Sequence, residues 1–115
     1  MFCRKDVFSQ EVAQFSVHLI KPNDPIGYEM SKCRPYVVVS PDYLNHQLGT
    51  VIVAPLTQTS KLYASRVFCW FQDKESYVVL DQIMRVDKTR LLAYIGDLDS
   101  GTAQNVLHRL KELFS

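Results

Sequence analysis

The chain has 115 residues, 47% of them hydrophobic and 22% charged, and its formal net charge is +1. These values are typical of one soluble globular domain, since domains usually hold about 100–200 residues. Because the net charge is close to zero, a surface for nucleic acid would have to be a local basic patch.

The cysteine spacing argues against a zinc-binding or disulfide-bonded protein, and the short apolar runs argue against a membrane protein. Cys3, Cys33 and Cys69 form no CxxC pair and no Cys/His cluster with zinc-ligand spacing. We therefore expect no metal site, and reduced thiols in a cytoplasmic protein. A run of about 18 apolar residues and the apolar segment of a secretory signal are both missing from the sequence, so no membrane span is expected.

The first third of the chain predicts an extension, a strand and a loop. Residues 1–13 lack a clear period and are interpreted as an N-terminal extension of uncertain order, preceding a domain over 14–115. Residues 14–20 alternate as a strand does, with His18 on a half-exposed face. Residues 21–32 are rich in turn-forming residues and predict a long loop, a kind of segment that is often functional.

A buried strand is predicted with its centre at 36–39, a β-branched run between two prolines. Pro35 suits the first residue of such a strand, since it has no backbone N–H to donate. Arg34, directly before it, carries a planar fork of donors that suits a phosphate or a carboxylate. Taken alone, Arg34 is better explained as a structural ion pair. Ser40 is predicted to cap a short helix with Pro41 at its first position.

The second half of the chain predicts short strands and one terminal helix. Near the C-terminus, apolar residues recur at three- and four-residue steps and form one face of a helix, which Asp99 or Ser100 can cap. Roughly five to seven short strands with tight connections indicate a mainly β fold, a small SH3-like antiparallel barrel with a C-terminal α-helix. The predicted strands are 50–54 (ended by Pro55), 66–71, 77–80, 83–86 and one within 91–98, and the apolar helix positions are Ala103, Val106, Leu107, Leu110, Leu113 and Phe114.

An ordered series of short motifs runs through residues 26–98. Each motif is weak alone, but their order and spacing resemble the MazF/PemK family of type II toxin–antitoxin endoribonucleases over roughly residues 14–115. The motifs are Ile26-Gly27-Tyr28-Glu29, Arg34-Pro35, Ser40-Pro41-Asp42, Leu44-Asn45, TVIVAPLT at 50–57, Arg66-Val67, Leu80-Asp81-Gln82-Ile83, VDKTRL at 86–91 and Ile95-Gly96-Asp97-Leu98.

The resemblance implies a fold, an activity and a set of partners. It implies an SH3-like barrel of the CcdB/PemK type, assembled as a two-fold homodimer. It implies cleavage of single-stranded RNA without a metal or other cofactor. It also implies a cognate antitoxin whose disordered segment covers the RNA groove, with DNA contacted only indirectly through that antitoxin.

The resemblance also implies site residues, position by position. Arg34 matches the family's catalytic arginine before a proline, and Thr57 its catalytic threonine after Ala-Pro-Leu. Glu29 matches the acidic residue that follows the glycine of the first loop. Asp81 matches an acidic position that some members use as a base, and Gln82 matches a glutamine near bound RNA.

Further RNA contacts are predicted among polar and basic residues around these positions. Tyr63 offers a ring on which a base can stack. Solvated loop residues would have the same composition, so this interpretation stays open. Phe68 and Trp70 are interpreted as core or dimer contacts rather than RNA contacts. The predicted additional RNA-binding residues are Gln58, Ser60, Lys61, Lys32, Tyr63 and Arg85.

The chain departs from the family pattern next to the predicted site. The family usually has a basic residue after Asp-Gln-Ile, and this chain has Met84. Arg85 is basic, but neighbouring side chains of a strand point to opposite faces, so Arg85 does not simply replace the missing cation. The departure affects the expected sequence preference and rate.

Metal-independent cleavage of RNA uses the neighbouring ribose 2′-hydroxyl as nucleophile, a group that DNA lacks. The step needs a base, a proton donor for the leaving oxygen, and stabilisation of charge on the phosphate. Arg34 suits stabilisation but not the base role, because a guanidinium stays protonated at neutral pH. A carboxylate is therefore expected as the base, Glu29 first and Asp81 second, with Thr57 donating a hydrogen bond to a phosphate oxygen.

Two other functions are compatible with this fold. One is a CcdB-like toxin that binds DNA gyrase, although the chain lacks the terminal Trp-Gly-Ile carried by gyrase binders of this type. The other is a catalytically weak relative that retains antitoxin binding, which the methionine at position 84 suggests.

Overall fold

A computed structural model describes residues 12–21, 33–59 and 63–115 of the chain. Seven strands in these ranges form one antiparallel sheet that curls into a half-barrel, so the predicted mainly β fold with a C-terminal helix is confirmed. The sheet order is β4-β5-β3-β2-β1-β7, and β6 pairs with β3. The elements are β1 (Ser16–Ile20), β2 (Arg34–Val38), α1 (Asp42–Gln47), β3 (Thr50–Thr57), β4 (Arg66–Phe71), β5 (Lys74–Val79), β6 (Met84–Asp87), β7 (Leu91–Asp97) and α2 (Ser100–Leu113), with 3-10 turns at Leu80–Gln82 and Lys88–Arg90.

The sheet buries residues on both of its faces. Side chains alternate along each strand, so Val37 and Val38, neighbours on β2, both bury fully but in different clusters. The cluster beneath α2 holds the helix residue Val106 and the buried residues Val17, Val37, Val39, Ala54, Leu56, Val67, Cys69, Val78, Leu80 and Leu98. The opposite cluster is smaller and holds Val12, Ile20, Val38, Val51, Val53 and Val86.

Strand β3 continues through Pro55, so the prediction that Pro55 ends it is wrong. The first part of β3 pairs with β6, as far as Val53 opposite Met84. Its last two residues, Leu56 and Thr57, pair with β5. Pro55 lies where β3 changes from one partner to the other, a place at which a residue without an N–H is tolerated.

A buried amide joins the N-terminal segment, α1 and β3. Asn45 is fully buried, and its Nδ2 donates to the Ser40 carbonyl (2.9 Å) and the Val12 carbonyl (3.3 Å). Ser40 Oγ donates to Asn45 Oδ1 (2.6 Å) and accepts from the backbone N–H of Ile52 (3.0 Å). The prediction that Ser40 caps the helix is therefore wrong, because its hydroxyl serves this network, and Pro41 takes the N-cap position instead of the first helical one.

A two-residue turn joins β4 to β5. Gln72 and Asp73 both have positive φ, 52° and 63°, the geometry of hairpin turns that follow the right-handed twist of the strands. β5 begins at Lys74, three residues before the strand predicted at 77–80. Gln72 Nε2 donates to the Ile95 carbonyl (2.9 Å), which ties the turn to β7.

The C-terminal helix α2 begins after Asp99, whose side chain accepts a hydrogen bond from the Thr102 N–H (3.1 Å) as predicted. Its predicted apolar face is only partly buried. Ala103 and Val106 are buried, whereas the larger side chains nearer the end are exposed: Leu107, Leu113 and Phe114. No helix in the described ranges has the length and apolar character needed to cross a membrane.

Two of the three cysteines lie in the described ranges. Cys33 and Cys69 are both buried. Burial raises the pKa of Cys69 to about 11, and the nearby Asp99 adds to the effect. A thiol with such a pKa is a poor nucleophile near neutral pH.

His18 is buried, so the prediction of a half-exposed position is wrong. Only 6% of His18 is exposed, because the Tyr94 ring on β7 lies 5.7 Å from the imidazole. His18 Nε2 and Ser16 Oγ are 2.9 Å apart, within hydrogen-bond distance. Burial lowers the pKa of His18, and the negative charge of Asp97 opposes that shift.

We expect His18 to make the folded protein less stable at mildly acidic pH. Its pKa is depressed in the folded state, so below the ordinary value of about 6.5 the unfolded chain takes up a proton that the folded chain resists. Stability is therefore full above about pH 7 and falls as the pH drops from about 6.5. Urea unfolding midpoints measured from neutral pH to about pH 5 should decrease in the wild type and change less in His18→Gln.

His46→Gln is the matched control, because it makes the same substitution at an exposed histidine on α1. Equal slopes of the urea unfolding midpoint against pH in the wild type and in His18→Gln would contradict the assignment of this pH dependence to His18.

Candidate active site

An open pocket of about 400 Å³ lies where β2 begins and β3 ends. Three of the predicted site residues line it together: Arg34, Thr57 and Gln82. They come from β2, from β3 and from the 3-10 turn after β5. The other described lining residues are Pro35, Tyr36, Pro55, Leu56, Thr59, Arg66 and Val79.

The register of β2 against β3 brings the arginine and the threonine together. Tyr36 is directly opposite Pro55 in this antiparallel pair. Continuing that register by two residues places Arg34 opposite Thr57, on the same face of the sheet. The pocket therefore forms from two strand ends that are far apart in sequence.

Thr57 presents a hydroxyl group with a defined orientation. Its Oγ1 accepts a hydrogen bond from the Thr59 N–H (3.2 Å). A hydroxyl has one proton to donate as well as its acceptor lone pairs, so Thr57 retains a donor for a phosphate oxygen. Gln82 adds an exposed amide with two N–H donors at the same pocket.

Arg66 is a second cation in the pocket, and the sequence reasoning missed its role. It is the first residue of β4 and is half-buried. Its guanidinium lies 5.4 Å from the centre of the Tyr63 ring, and Nη1 lies 3.5 Å from the Thr59 carbonyl. The one sequence signal for this role was the Arg-Val motif, which matched the family pattern without a function attached.

Several predicted residues lie away from this pocket. Asp81 does not line it and instead accepts a hydrogen bond from Ser65 Oγ (2.9 Å). Gln58 lines a neighbouring pocket of about 230 Å³, which shares Pro35 and Leu56 with the first. Tyr63 lies beside the pocket, where its exposed ring meets Arg66.

The position at which the family usually has a cation provides none in this chain. Met84 is opposite Val53 and packs against the smaller apolar cluster. Arg85 is exposed and is opposite Ile52, so it points to the other face of the sheet as expected. The pocket receives its second positive charge from β4 rather than from β6.

Four predicted site residues lie outside the described residues: Glu29, Lys32, Ser60 and Lys61. Among the described residues that line the pocket, none has a carboxylate or an imidazole side chain. The described part of the pocket thus supplies positive charge and hydrogen-bond donors, but no group suited to accept a proton near neutral pH.

The described groups suit an oxyanion with several oxygens. Two guanidinium groups offer forks of N–H donors, each matched to a pair of phosphate oxygens. The Thr57 hydroxyl and the Gln82 amide add neutral donors. The pocket is open to solvent, so it can admit a phosphate that belongs to a long chain.

Comparison with known proteins agrees with this description. A family model described as PemK-like, MazF-like toxin of type II toxin-antitoxin system matches residues 13–114. No match to a curated protein was found.

Solved structures share the fold at low sequence identity. An endoribonuclease from Mycobacterial species is 20% identical, with a TM-score of 0.73 and 89% of each chain covered. An endoribonuclease in complex with its cognate antitoxin from Mycobacterial species is 21% identical, with a TM-score of 0.74 and coverage of 89% of this chain and 93% of that one.

The MazE-MazF complex from Deinococcus radiodurans (Form-III) is also 21% identical to this chain. It has a TM-score of 0.72 and covers 91% of this chain and 96% of its own. These likenesses establish the fold, and the family model spans nearly the whole chain. The comparisons give no support to the gyrase-binding alternative. The chain belongs to the family of PemK-like, MazF-like toxins of type II toxin–antitoxin systems.

Proposed function

We propose that this protein is an endoribonuclease that cleaves single-stranded RNA at selected sequences without a metal. The observation that carries the proposal is the meeting of Arg34, Thr57 and Gln82 in one open pocket, with Arg66 as a second cation. Three chain segments contribute one polar group each from the sequence-predicted set. Such a convergence of donors on an accessible pocket suits a phosphodiester inside a longer strand.

The proposed reaction is an intramolecular transfer within the RNA. The ribose 2′-oxygen attacks the adjacent phosphorus and forms a 2′,3′-cyclic phosphate, while the bond from phosphorus to the 5′-oxygen breaks. A carboxylate base accepts the 2′-hydroxyl proton, and the leaving oxygen takes up a proton to become a 5′-hydroxyl. Arg34 and Thr57 stabilise the charge that develops on the phosphate oxygens, and Arg34 is the candidate proton donor.

We also propose a cognate antitoxin as partner and a homodimer as the working assembly. Similar folds are known as an endoribonuclease in complex with its cognate antitoxin and as MazE-MazF complexes. A cationic open pocket is a surface that an acidic, disordered segment of an antitoxin can cover. Contact with DNA would then occur only through the antitoxin.

Arg34→Ala should lower the rate of RNA cleavage by about 100- to 1,000-fold, because it removes a positive group aimed at the phosphate. Thr57→Val should lower it less, because only one neutral donor is lost while the side-chain volume is kept. The measurement is cleavage of a long single-stranded RNA in excess EDTA, with product ends analysed for cyclic phosphate and 5′-hydroxyl groups.

A 2′-O-methyl RNA of the same sequence is the chemical control, and it should resist cleavage by the wild type. Full activity of Arg34→Ala would overturn the site assignment even if RNA is cut. No cleavage by the wild type would favour the weak relative if a cognate antitoxin still binds, and the gyrase-binding alternative if DNA supercoiling by gyrase is inhibited.

Glu29→Gln should slow cleavage more than Asp81→Asn. We expect a loss of roughly 100- to 10,000-fold for removal of the general base. Asp81 is hydrogen-bonded to Ser65 and lies outside the pocket lining, so its amide variant should retain most of the rate. Single-turnover cleavage rates of both variants, measured across pH, test this. A larger loss of rate in Asp81→Asn than in Glu29→Gln would reassign the base to Asp81.

Arg66→Ala should weaken RNA binding and reduce its salt dependence. A lost contact to a single-stranded phosphate lowers the slope of log K against log salt by about 0.7. Binding of a 2′-O-methyl RNA measured between about 50 and 200 mM salt tests this. Lys111→Ala, on the exposed end of α2, is the charge-matched control and should leave the slope unchanged. An unchanged slope in Arg66→Ala would remove Arg66 from the RNA path.

A further inference from the structure

An exposed aromatic pair stands on the outer strand of the sheet. Phe68 and Trp70 are 44% and 62% exposed, so the interpretation of these large apolar side chains as core contacts is wrong. Their ring centres are 5.8 Å apart and the rings are nearly perpendicular, at 80°. They are two residues apart on β4, so they share one face, while Val67 and Cys69 between and beside them point into the core.

This aromatic pair lies on the same face as the pocket. Arg66, which lines the pocket, is two residues before Phe68 on β4 and points the same way. Across the sheet, Phe68 is directly opposite Tyr77 on β5, and Tyr77 is directly opposite Thr57 on β3. One row of side chains therefore joins the catalytic threonine to the aromatic pair.

A buried tyrosine on β5 packs against Phe68. Tyr77 is 6% exposed, and its ring centre lies 5.6 Å from that of Phe68 at an angle of 62°. Phe68 is thus held edge-on between Tyr77 and Trp70. A ring fixed in this way loses little further freedom when a flat group stacks on it, which favours binding.

We propose that Phe68 and Trp70 form a stacking site for a nucleobase of the bound RNA, beyond the phosphate held in the pocket. The inference rests on the proposed function and adds a base subsite to it. Trp70 is about 13 Å along β4 from Arg66. About four nucleotides of a stacked strand span this distance, and an extended strand spans it with fewer nucleotides. Cationic contacts to phosphates combined with aromatic rings for bases are the usual means of holding a single strand.

A carboxylate beside Trp70 indicates which part of the nucleotide is bound there. Glu75 is directly opposite Trp70 on the same face and is exposed. It would repel a phosphate but can accept a hydrogen bond from an amino group on a base edge. The backbone should therefore pass on the arginine side, and the stacked base should be one that carries an amino group, such as cytosine, in preference to uracil.

A second copy of the chain suits this surface less well. Two aromatic side chains bury about 300–500 Å² together, while a stable protein interface needs about 800 Å² from each partner. Glu75 would also have to lose its water in such an interface, and charged groups are depleted at interface cores. A stacked base leaves the carboxylate at the solvent edge.

Trp70 is the single tryptophan of the chain, so its fluorescence reports on this site alone. Titration with a non-cleavable 2′-O-methyl RNA should quench that fluorescence to saturation. Binding of RNA to Trp70→Ala is measured with a labelled RNA. This variant should have a Kd for RNA roughly 5- to 150-fold higher than that of the wild type, the range for the loss of one stacked base. Trp70→Phe should restore most of the affinity, whereas Trp70→Leu should not, because it is apolar but cannot stack.

Phe114→Ala is the matched control, because Phe114 is an aromatic residue that is 73% exposed at the end of α2. It should bind as the wild type does. Glu75→Gln should reduce the preference for oligocytidine over oligouridine. A carboxylate only accepts hydrogen bonds, whereas an amide can also donate one and so no longer selects for an amino group on the base. Unchanged affinity in both Trp70→Ala and Trp70→Leu, or loss of the dimer in Trp70→Ala with RNA affinity intact, would overturn the stacking site.

The stacking site and the nuclease assignment fail in different ways. Cleavage by the wild type without quenching of Trp70 refutes the stacking site and leaves the proposed function standing. Quenching by RNA without any cleavage refutes the nuclease and retains the stacking site as an RNA-binding surface. Arg34→Ala links the two, since it should slow cleavage by about 100- to 1,000-fold while Trp70 is still quenched at higher RNA concentration.

Discussion

The register between β2 and β3 is the constraint on which the rest of the structure depends. With Tyr36 opposite Pro55, the valines of both strands point into the two apolar clusters, and Arg34 comes opposite Thr57 at the strand ends. A shift by one residue would send each of these side chains to the other face. The same pairing thus builds the core and assembles the pocket, so burial of the valines secures the position of the polar pair.

Positive charge enters the pocket from two strands that are not adjacent in the sheet. Arg34 begins β2 and Arg66 begins β4, with β3 and β5 between them. The position on β6 that is usually basic in the family holds Met84, which packs against the smaller cluster instead. The described part of the pocket therefore draws its positive charge from β2 and β4 rather than from β6.

The sequence predicted local features well and long-range ones less well. The strand at Arg66–Phe71 was predicted with its observed ends, because β-branched and aromatic residues alternate there between clear turn signals. Pro55 misled the prediction, since its effect depends on a change of partner strand that no local pattern reveals. His18 was assigned to the wrong environment because Tyr94, which covers it, is remote in sequence. Arg34, Thr57 and Gln82 came from a resemblance, whereas Arg66 needed the sheet order to be recognised.

The β4–β5 hairpin is attached to the remainder of the sheet by a short ladder, Leu56 opposite Val78 and Thr57 opposite Tyr77. Within the hairpin, six residue pairs join its two strands, and a tight turn with two left-handed residues fixes their alignment. Core packing through Val67 and Cys69 holds it down. Because only two residue pairs join the hairpin to β3, its local opening should require less free energy than global unfolding. Amide hydrogens of β4 should exchange with solvent before those of β2, and the aromatic surface would lose its order while the centre of the sheet is still intact.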